Sequence, residues 1–144
     1  MESVKSKLST MWIFATFNYL YCDVVTLMDR NVLKEFLGGR VGGVDVTQGF
    51  LLGAGMLVEI PMAMLLLSRL LGRRVNRLAN VAAGALMTIV QAGTLAVHTP
   101  TPYYAFFSAI EIACTAAIVW FAWTRLAVGP VPAAGRVERA TVLS

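Results

Sequence analysis

The sequence predicts an all-α integral membrane protein, a four-helix bundle with short loops and a disordered C-terminal tail, and three observations carry that prediction. Of 144 residues, 58% are hydrophobic and only 14% charged, with a mean hydropathy of +0.70. That balance excludes an ordinary soluble domain. The apolar residues gather into four blocks, about 9–28, 48–71, 78–97 and 103–126. At ~1.5 Å per helical residue each block can cross the ~30 Å of bilayer hydrocarbon. No block alternates as a membrane strand would, and so few spans cannot close a barrel, so helices alone satisfy the backbone in lipid. One transmembrane domain, residues 1–128, is expected, followed by a flexible tail, 129–144.

The formal charge of +4 is a topology signal. Lys5 and Lys7 precede the first block, Arg69, Arg73, Arg74 and Arg77 lie between the second and third, and Arg125, Arg136 and Arg139 follow the fourth. The opposite side carries Arg30, Lys34 and Arg40, balanced by Asp29, Glu35 and Asp45. The positive-inside rule then puts both termini in the cytoplasm. Nucleic acid is not an expected partner, because no aromatic residues interleave with the arginines to stack on bases.

Met1 to Leu8 reads as a short basic leader. The first block lacks a small-residue cleavage site and contains Asn18, Tyr19, Tyr21 and Asp23, so it reads as an uncleaved span. Thr16, Tyr19, Asp23 and Thr26 recur at helical steps and form one polar line, with Asn18 and Cys22 as a second pair beside it. Ile13, Phe17, Leu20 and Val24 make the apolar side. Asp29 to Leu37 then predicts a short amphipathic surface helix, broken by Gly38, Gly39, Gly42 and Gly43. The glycine-rich segment reads as a mobile tether or a lid.

The second block holds Glu59 at its midpoint and Pro61 two residues on. Gln48, Gly55, Glu59 and Met62 share a face, and Pro61 leaves the Leu57 carbonyl without its helical donor, so a bend is expected. Gly49 and Gly53 form a small-xxx-small pair through which a homodimer could pack. The third block carries Asn80, Gly84, Thr88 and Gln91 in line, with His98 beyond them as a membrane-interface anchor. In the fourth, Tyr104, Ser108, Glu111 and Thr115 form a line, while Phe106, Phe107, Ile110, Ile118 and Phe121 cover other directions. Trp120, Trp123, Tyr103 and Tyr104 suit the two interfacial belts.

Three of these lines contain an acid: Asp23, Glu59 and Glu111. Counted from the outer ends, Asp23 and Gln91 lie ~8–10 Å deep, Glu111 ~12 Å and Glu59 ~17 Å. A carboxylate facing lipid costs about 2.5–3.5 kcal/mol on insertion scales, so a shared acidic cavity is expected. No basic residue lies at matching depth, and at least two of the acids are expected to hold or share a proton. Asp23, Glu59, Glu111, Gln91, Tyr19, Asn18, Tyr104 and Ser108 are the candidate ligand-binding residues, with Tyr21 and Phe107 as further aromatic wall.

Three readings follow. The cavity could bind or transport a small lipophilic or cationic ligand. It could instead perform acid–base chemistry, an isomerisation or cyclisation, on a lipid-soluble substrate. Or the acids could serve only to hydrogen-bond neighbouring helices. No metal site is expected, since His98 stands without a ligand set, and no cofactor motif is present. Cys22 and Cys114 differ too far in depth for a disulfide and lack a CxxC pairing, so they read as structural thiols.

Asn18-Tyr-Leu-Tyr-Cys-Asp23, Met28-Asp29, Thr47-Gln-Gly-Phe-Leu-Leu-Gly53, Glu59-Ile-Pro-Met-Ala-Met64, Ser68-Arg69 and Glu111-Ile-Ala-Cys114 together resemble a family of small bacterial four-span membrane proteins classed as a domain of unknown function. The likeness covers roughly residues 11–125. It implies a four-helix protein of the bacterial inner membrane. It brings no activity, so no catalytic residue is carried over. Sterol-isomerase-like proteins and small multidrug exporters are similar in architecture alone.

Overall fold

The computed structural model describes residues 2–97 and 99–126. His98 and the 129–144 tail, both singled out above, lie outside the described residues. In chain order the elements are α1 (Glu2–Met28), α2 (Arg30–Leu37), β1 (Arg40–Val41), β2 (Val44–Asp45), α3 (Gln48–Leu70), α4 (Arg73–Val97) and α5 (Pro102–Arg125). Helices α1, α3, α4 and α5 are long and apolar enough to cross a membrane. The end that carries Lys5, the arginines from Arg69 to Arg77, and Arg125 is here the arginine end; the other is the hairpin end.

Two helices begin earlier than the hydropathy blocks suggest. The basic leader is helical from Glu2, because Val4 and Leu8 pack against the core and draw those turns into the bundle. Helix α4 starts at Arg73 and so takes in most of the arginine cluster, arginine being a good helix former. At 27 residues α1 is about 40 Å long and projects beyond the hydrocarbon at the arginine end.

Helix α1 is flanked by α3 and α5, α5 packs in turn on α4, and α3 touches α4 sparingly. The core is Leu8, Trp12 and Ala15 of α1, Met64 of α3, Ala83 and Met87 of α4, and Ile118 and Ala122 of α5, with Leu126 beyond it. Ile118, one of the apolar residues beside the polar line of α5, is thus a core residue. Phe17, Leu20 and Val24 are exposed, as the apolar side of α1 requires.

A buried polar node locks the arginine end. Asn80 Oδ1 accepts from Trp12 Nε1 at 2.7 Å and from Ser68 Oγ at 3.1 Å. Its Nδ2 donates to the carbonyl and to the Oδ1 of Asn76 at 2.8 and 2.6 Å. Asn76 Nδ2 donates to the Ser68 carbonyl at 2.8 Å. Both lone-pair positions and both N–H groups of the Asn80 amide are therefore used, and α1, α3 and α4 are joined through one side chain. Beside it, Ser9 Oγ donates to the Leu65 carbonyl at 2.9 Å and accepts from Arg69 Nε at 3.1 Å.

The connection from α1 to α3 folds into the short helix α2 and a hairpin of β1 and β2. Asp29 caps α2, accepting from Asn31 N at 2.9 Å. Val41 pairs with Val44 and Arg40 with Asp45 across a two-residue turn whose glycines, Gly42 and Gly43, have φ of 54° and 81°. Positive φ at both positions is the type I′ hairpin geometry, which any side chain would strain. Arg40 Nε donates to Asp45 Oδ1 at 2.9 Å, and Gly42 N donates to Glu35 Oε2 at 3.1 Å, which ties the hairpin to α2. Gly-Gly between two valine-bearing arms was the available signal.

Helix α4 meets α5 at Gly84, where an added Cβ would lie 2.7 Å from Val119 Cγ2 and 3.2 Å from the Thr115 carbonyl. Gly84→Ala is expected to destabilise the bundle by about 1–3 kcal/mol through overpacking. Gly93→Ala on the same helix, where nothing lies within 4 Å, is expected to be neutral or stabilising by about 0.5–1 kcal/mol. Thermal melting in detergent checks the contrast; equal effects at the two positions would contradict the close approach.

Candidate functional site

In α1 the inward line is Leu8, Trp12, Ala15 and Cys22, separated by steps of a helical repeat. The Asn18–Cys22 pair turns toward the bundle, and of the line Thr16, Tyr19, Asp23 and Thr26 only Asp23 is exposed. Thr16 Oγ1 donates to its own helix, to the Trp12 carbonyl at 2.8 Å. Asp23 is exposed, and Tyr19 is half-buried between the two lines. Tyr21, expected in the aromatic wall, is 64% exposed and points outward.

Helices α4 and α5 turn their polar lines toward each other as their spacing predicts. Gln91 and Ser108 are buried, with Gln91 Nε2 donating to Ser108 Oγ at 2.7 Å. One layer deeper, Thr88 Oγ1 and Thr115 Oγ1 are 2.7 Å apart, so one hydroxyl donates to the other while the second donates to a carbonyl of its own helix, Gly84 for Thr88 or Glu111 for Thr115. One layer toward the hairpin end, Tyr104 Oη donates to Thr94 Oγ1 at 3.1 Å. The α4–α5 seam is a ladder of three hydrogen-bonded rungs.

Glu111 sits on this seam but faces α1. It is 1% exposed. Asn18 Nδ2 donates to Glu111 Oε1 at 3.1 Å and to the Phe107 carbonyl at 3.3 Å, so a single amide bridges the carboxyl and the backbone of α5. Glu111 Oε2 and Tyr19 Oη are both buried and have no hydrogen-bond partner among the described residues. Cys22 is buried and Cys114 half-buried; both are free thiols, and Cys114 Sγ lies 3.6 Å from the Met11 carbonyl.

Glu59 is not brought into this cluster. The buried face of α3 is Pro61, Met64 and Ser68, and at 100° per residue Glu59 lies opposite it. Glu59 is exposed together with Gln48, Gly55 and Met62, the residues expected to share its face. They do share one, but it is the face turned away from the other helices. Burial of Pro61 at a close contact fixed the rotation of α3, and the polarity of the opposite side did not. The helix continues through Pro61 to Leu70.

Above the Glu111 layer a vestibule of about 490 Å³ opens at the hairpin end. Thr26, Thr94 and Tyr104 line its floor, and Val32, Glu35 and Val44 line its roof. Each floor residue stands one turn above a deeper one: Thr26 above Cys22, Thr94 above Gln91, Tyr104 above Ser108. The lining is predominantly apolar, and Phe50 and Tyr103 add aromatic surface to it. The vestibule could not be found by spacing, because it joins segments far apart in the chain.

Four long apolar helices around an internal polar seam define a polytopic helical membrane protein. The chain belongs to a family of unknown function, DUF6326, whose profile matches residues 1–127. Neither the curated proteins nor the solved structures contain a match to it.

Asn18→Ala is expected to leave both Glu111 carboxyl oxygens without a partner and to cost about 1–3 kcal/mol. In the Glu111→Leu background, where no buried carboxyl remains, the same change is expected to cost under about 1 kcal/mol. Melting of the single and double variants in detergent checks this, and purely additive costs would count against the bridge.

Proposed function

We propose that the protein binds or transports a small lipophilic or cationic ligand, which enters at the hairpin-end vestibule and is anchored by Glu111. The reading rests on a contrast within the molecule. At the arginine end the Asn80 node uses every hydrogen-bonding position of its amide, as a purely structural polar cluster should. At Glu111 and Tyr19, two buried oxygens are without partners among the described residues, and a buried acceptor left unmade is costly unless something else meets it. An amine or alkylammonium donor suits a carboxyl oxygen beside a phenol, and the aromatic vestibule favours an apolar cation on its way in. Asn18 holds the carboxyl in place, Gln91 and Ser108 supply polar positions on the α4–α5 side, and Tyr104 lies between them and the vestibule.

The proposed setting is the bacterial inner membrane, with the arginine end and both termini in the cytoplasm, so that the vestibule opens outward. A homodimer through Gly49 and Gly53 belongs to the same proposal: both are exposed on α3, and an added Cβ at Gly53 would meet nothing within 4 Å. Disulfide cross-linking of a Gly53→Cys variant in membranes should trap a dimer; a monomer under oxidising conditions would sink that part. Glu59 has no assigned ligand role in this scheme.

Glu111→Gln tests the ligand proposal because it keeps shape and removes the charge. In reconstituted vesicles, uptake or binding of a hydrophobic dye that carries a protonated alkylamine is expected to fall at least about tenfold, which is ~1.4 kcal/mol. The melting temperature is expected to change little. Unaltered dye binding in a folded Glu111→Gln protein, or no dye binding by the wild type across a panel of lipophilic amines and cations, would overturn the proposal.

A further inference from the structure

The arginine end holds a second site, unrelated to the Glu111 cluster. Helix α4 begins at Arg73, has Arg74 beside it and Arg77 one turn on, and carries no acid in its first turn. A helix N-terminus bears a partial positive charge, so these cations stand where they repel it. The one ion pair among the described residues is Arg40 with Asp45 at the hairpin end; no carboxylate there pairs with Arg69, Arg73, Arg74, Arg77 or Arg125. Among the described residues these guanidinium groups have no carboxylate within ion-pair distance, so this end can accept an anion.

The geometry supplies a place for one. Arg73 and Arg125 line a pocket of about 110 Å³ whose remaining walls are Val4 and Leu126. A space of that size accepts a small tetrahedral oxyanion. Arg73 Nε donates to the Leu126 carbonyl at 3.1 Å, which fixes its guanidinium to the end of α5 and leaves its terminal N–H groups free to turn to the pocket. Arg125 comes from the last turn of α5, so two helices contribute one arginine each to the lining. Guanidinium forks match phosphate oxygens in bidentate geometry.

Position decides which phosphate. The pocket lies where α4 and α5 leave the apolar core, and its other two walls are a valine and a leucine. On the same end Arg77 packs its guanidinium 4.1 Å from the centre of the Trp123 ring, and Trp120 and Trp123 are 65% and 57% exposed, as side chains at headgroup level are. We propose that the Arg73–Arg125 pocket holds the phosphodiester of an anionic phospholipid, with its acyl chains on the apolar surface beside it. Basic pockets between spanning helices are a recognised way of retaining such headgroups.

The test uses the full chain in nanodiscs or detergent carrying phosphatidylglycerol or phosphatidylcholine, with retained lipid counted by native mass spectrometry. Phosphatidylglycerol is expected to be retained preferentially, and Arg73→Gln and Arg125→Gln are each expected to weaken it about fivefold, the factor for ~1 kcal/mol per arginine at the surface. Arg74→Gln removes the same charge outside the pocket and is expected to change retention less than twofold. Equal losses from all three variants would mean diffuse attraction, and would overturn the site. Displacement of the lipid by millimolar inorganic phosphate would mark a free-anion site instead and would overturn the lipid assignment. Should Arg73→Gln fail to fold, Arg125→Gln, which leaves the Arg73–Leu126 hydrogen bond intact, carries the test alone.

Discussion

In hydrocarbon no water can complete a hydrogen bond, so every polar side chain on a spanning helix must find its partner inside the protein or at a membrane surface. The fold is one solution to that constraint. Asn80 answers it at the arginine end by joining Trp12, Ser68 and Asn76. The Gln91–Ser108 and Thr88–Thr115 pairs answer it along the α4–α5 seam. Interhelical hydrogen bonds in membranes average only ~0.6 kcal/mol, so their part is less to hold the bundle together than to select one rotation of each helix.

Close packing completes the selection. Gly84 lets α4 approach Val119 and the Thr115 carbonyl, and Ser9 and Ser68 perform the same service for α1 and α3. With the arginine end locked in this way, the hairpin end is freer to differ. There α3 shows exposed residues on all sides from Gln48 to Met56, while the hairpin and α2 roof a cavity built on the tops of the α4–α5 ladder. The candidate anchor, Glu111, lies at the boundary between the two ends, facing the Asn18 amide of α1.

Glu59 is the point at which polarity alone misdirects. A carboxyl in the middle of a spanning segment suggests an interior position, yet the inward face of α3 is set by Pro61, Met64 and Ser68 on the opposite side. Asp23 departs less: it is exposed, but it is one residue from the buried Cys22 and on the same helix as Asn18 and Tyr19. The expected meeting of three acids therefore reduces to one buried carboxyl with its α1 partners.

The amino-acid sequence by itself determined the class of fold, the four apolar spans, the surface helix α2 and the inward lines of α4 and α5. Those are properties of length, composition and 3.6-residue spacing, which are local. It also contained Asn18 and Cys22 as a pair, though nothing in the spacing ranked that pair above the Thr16–Asp23 line. Tertiary structure alone decided which line of α1 turns inward, that Glu59 faces away, that Trp12 reaches Asn80, and that Arg73 meets the end of α5. Each depends on the rotation of a helix about its axis, and that rotation is set by steric contacts such as Pro61 and Gly84 between segments distant in the chain, to which a pattern along one segment is blind.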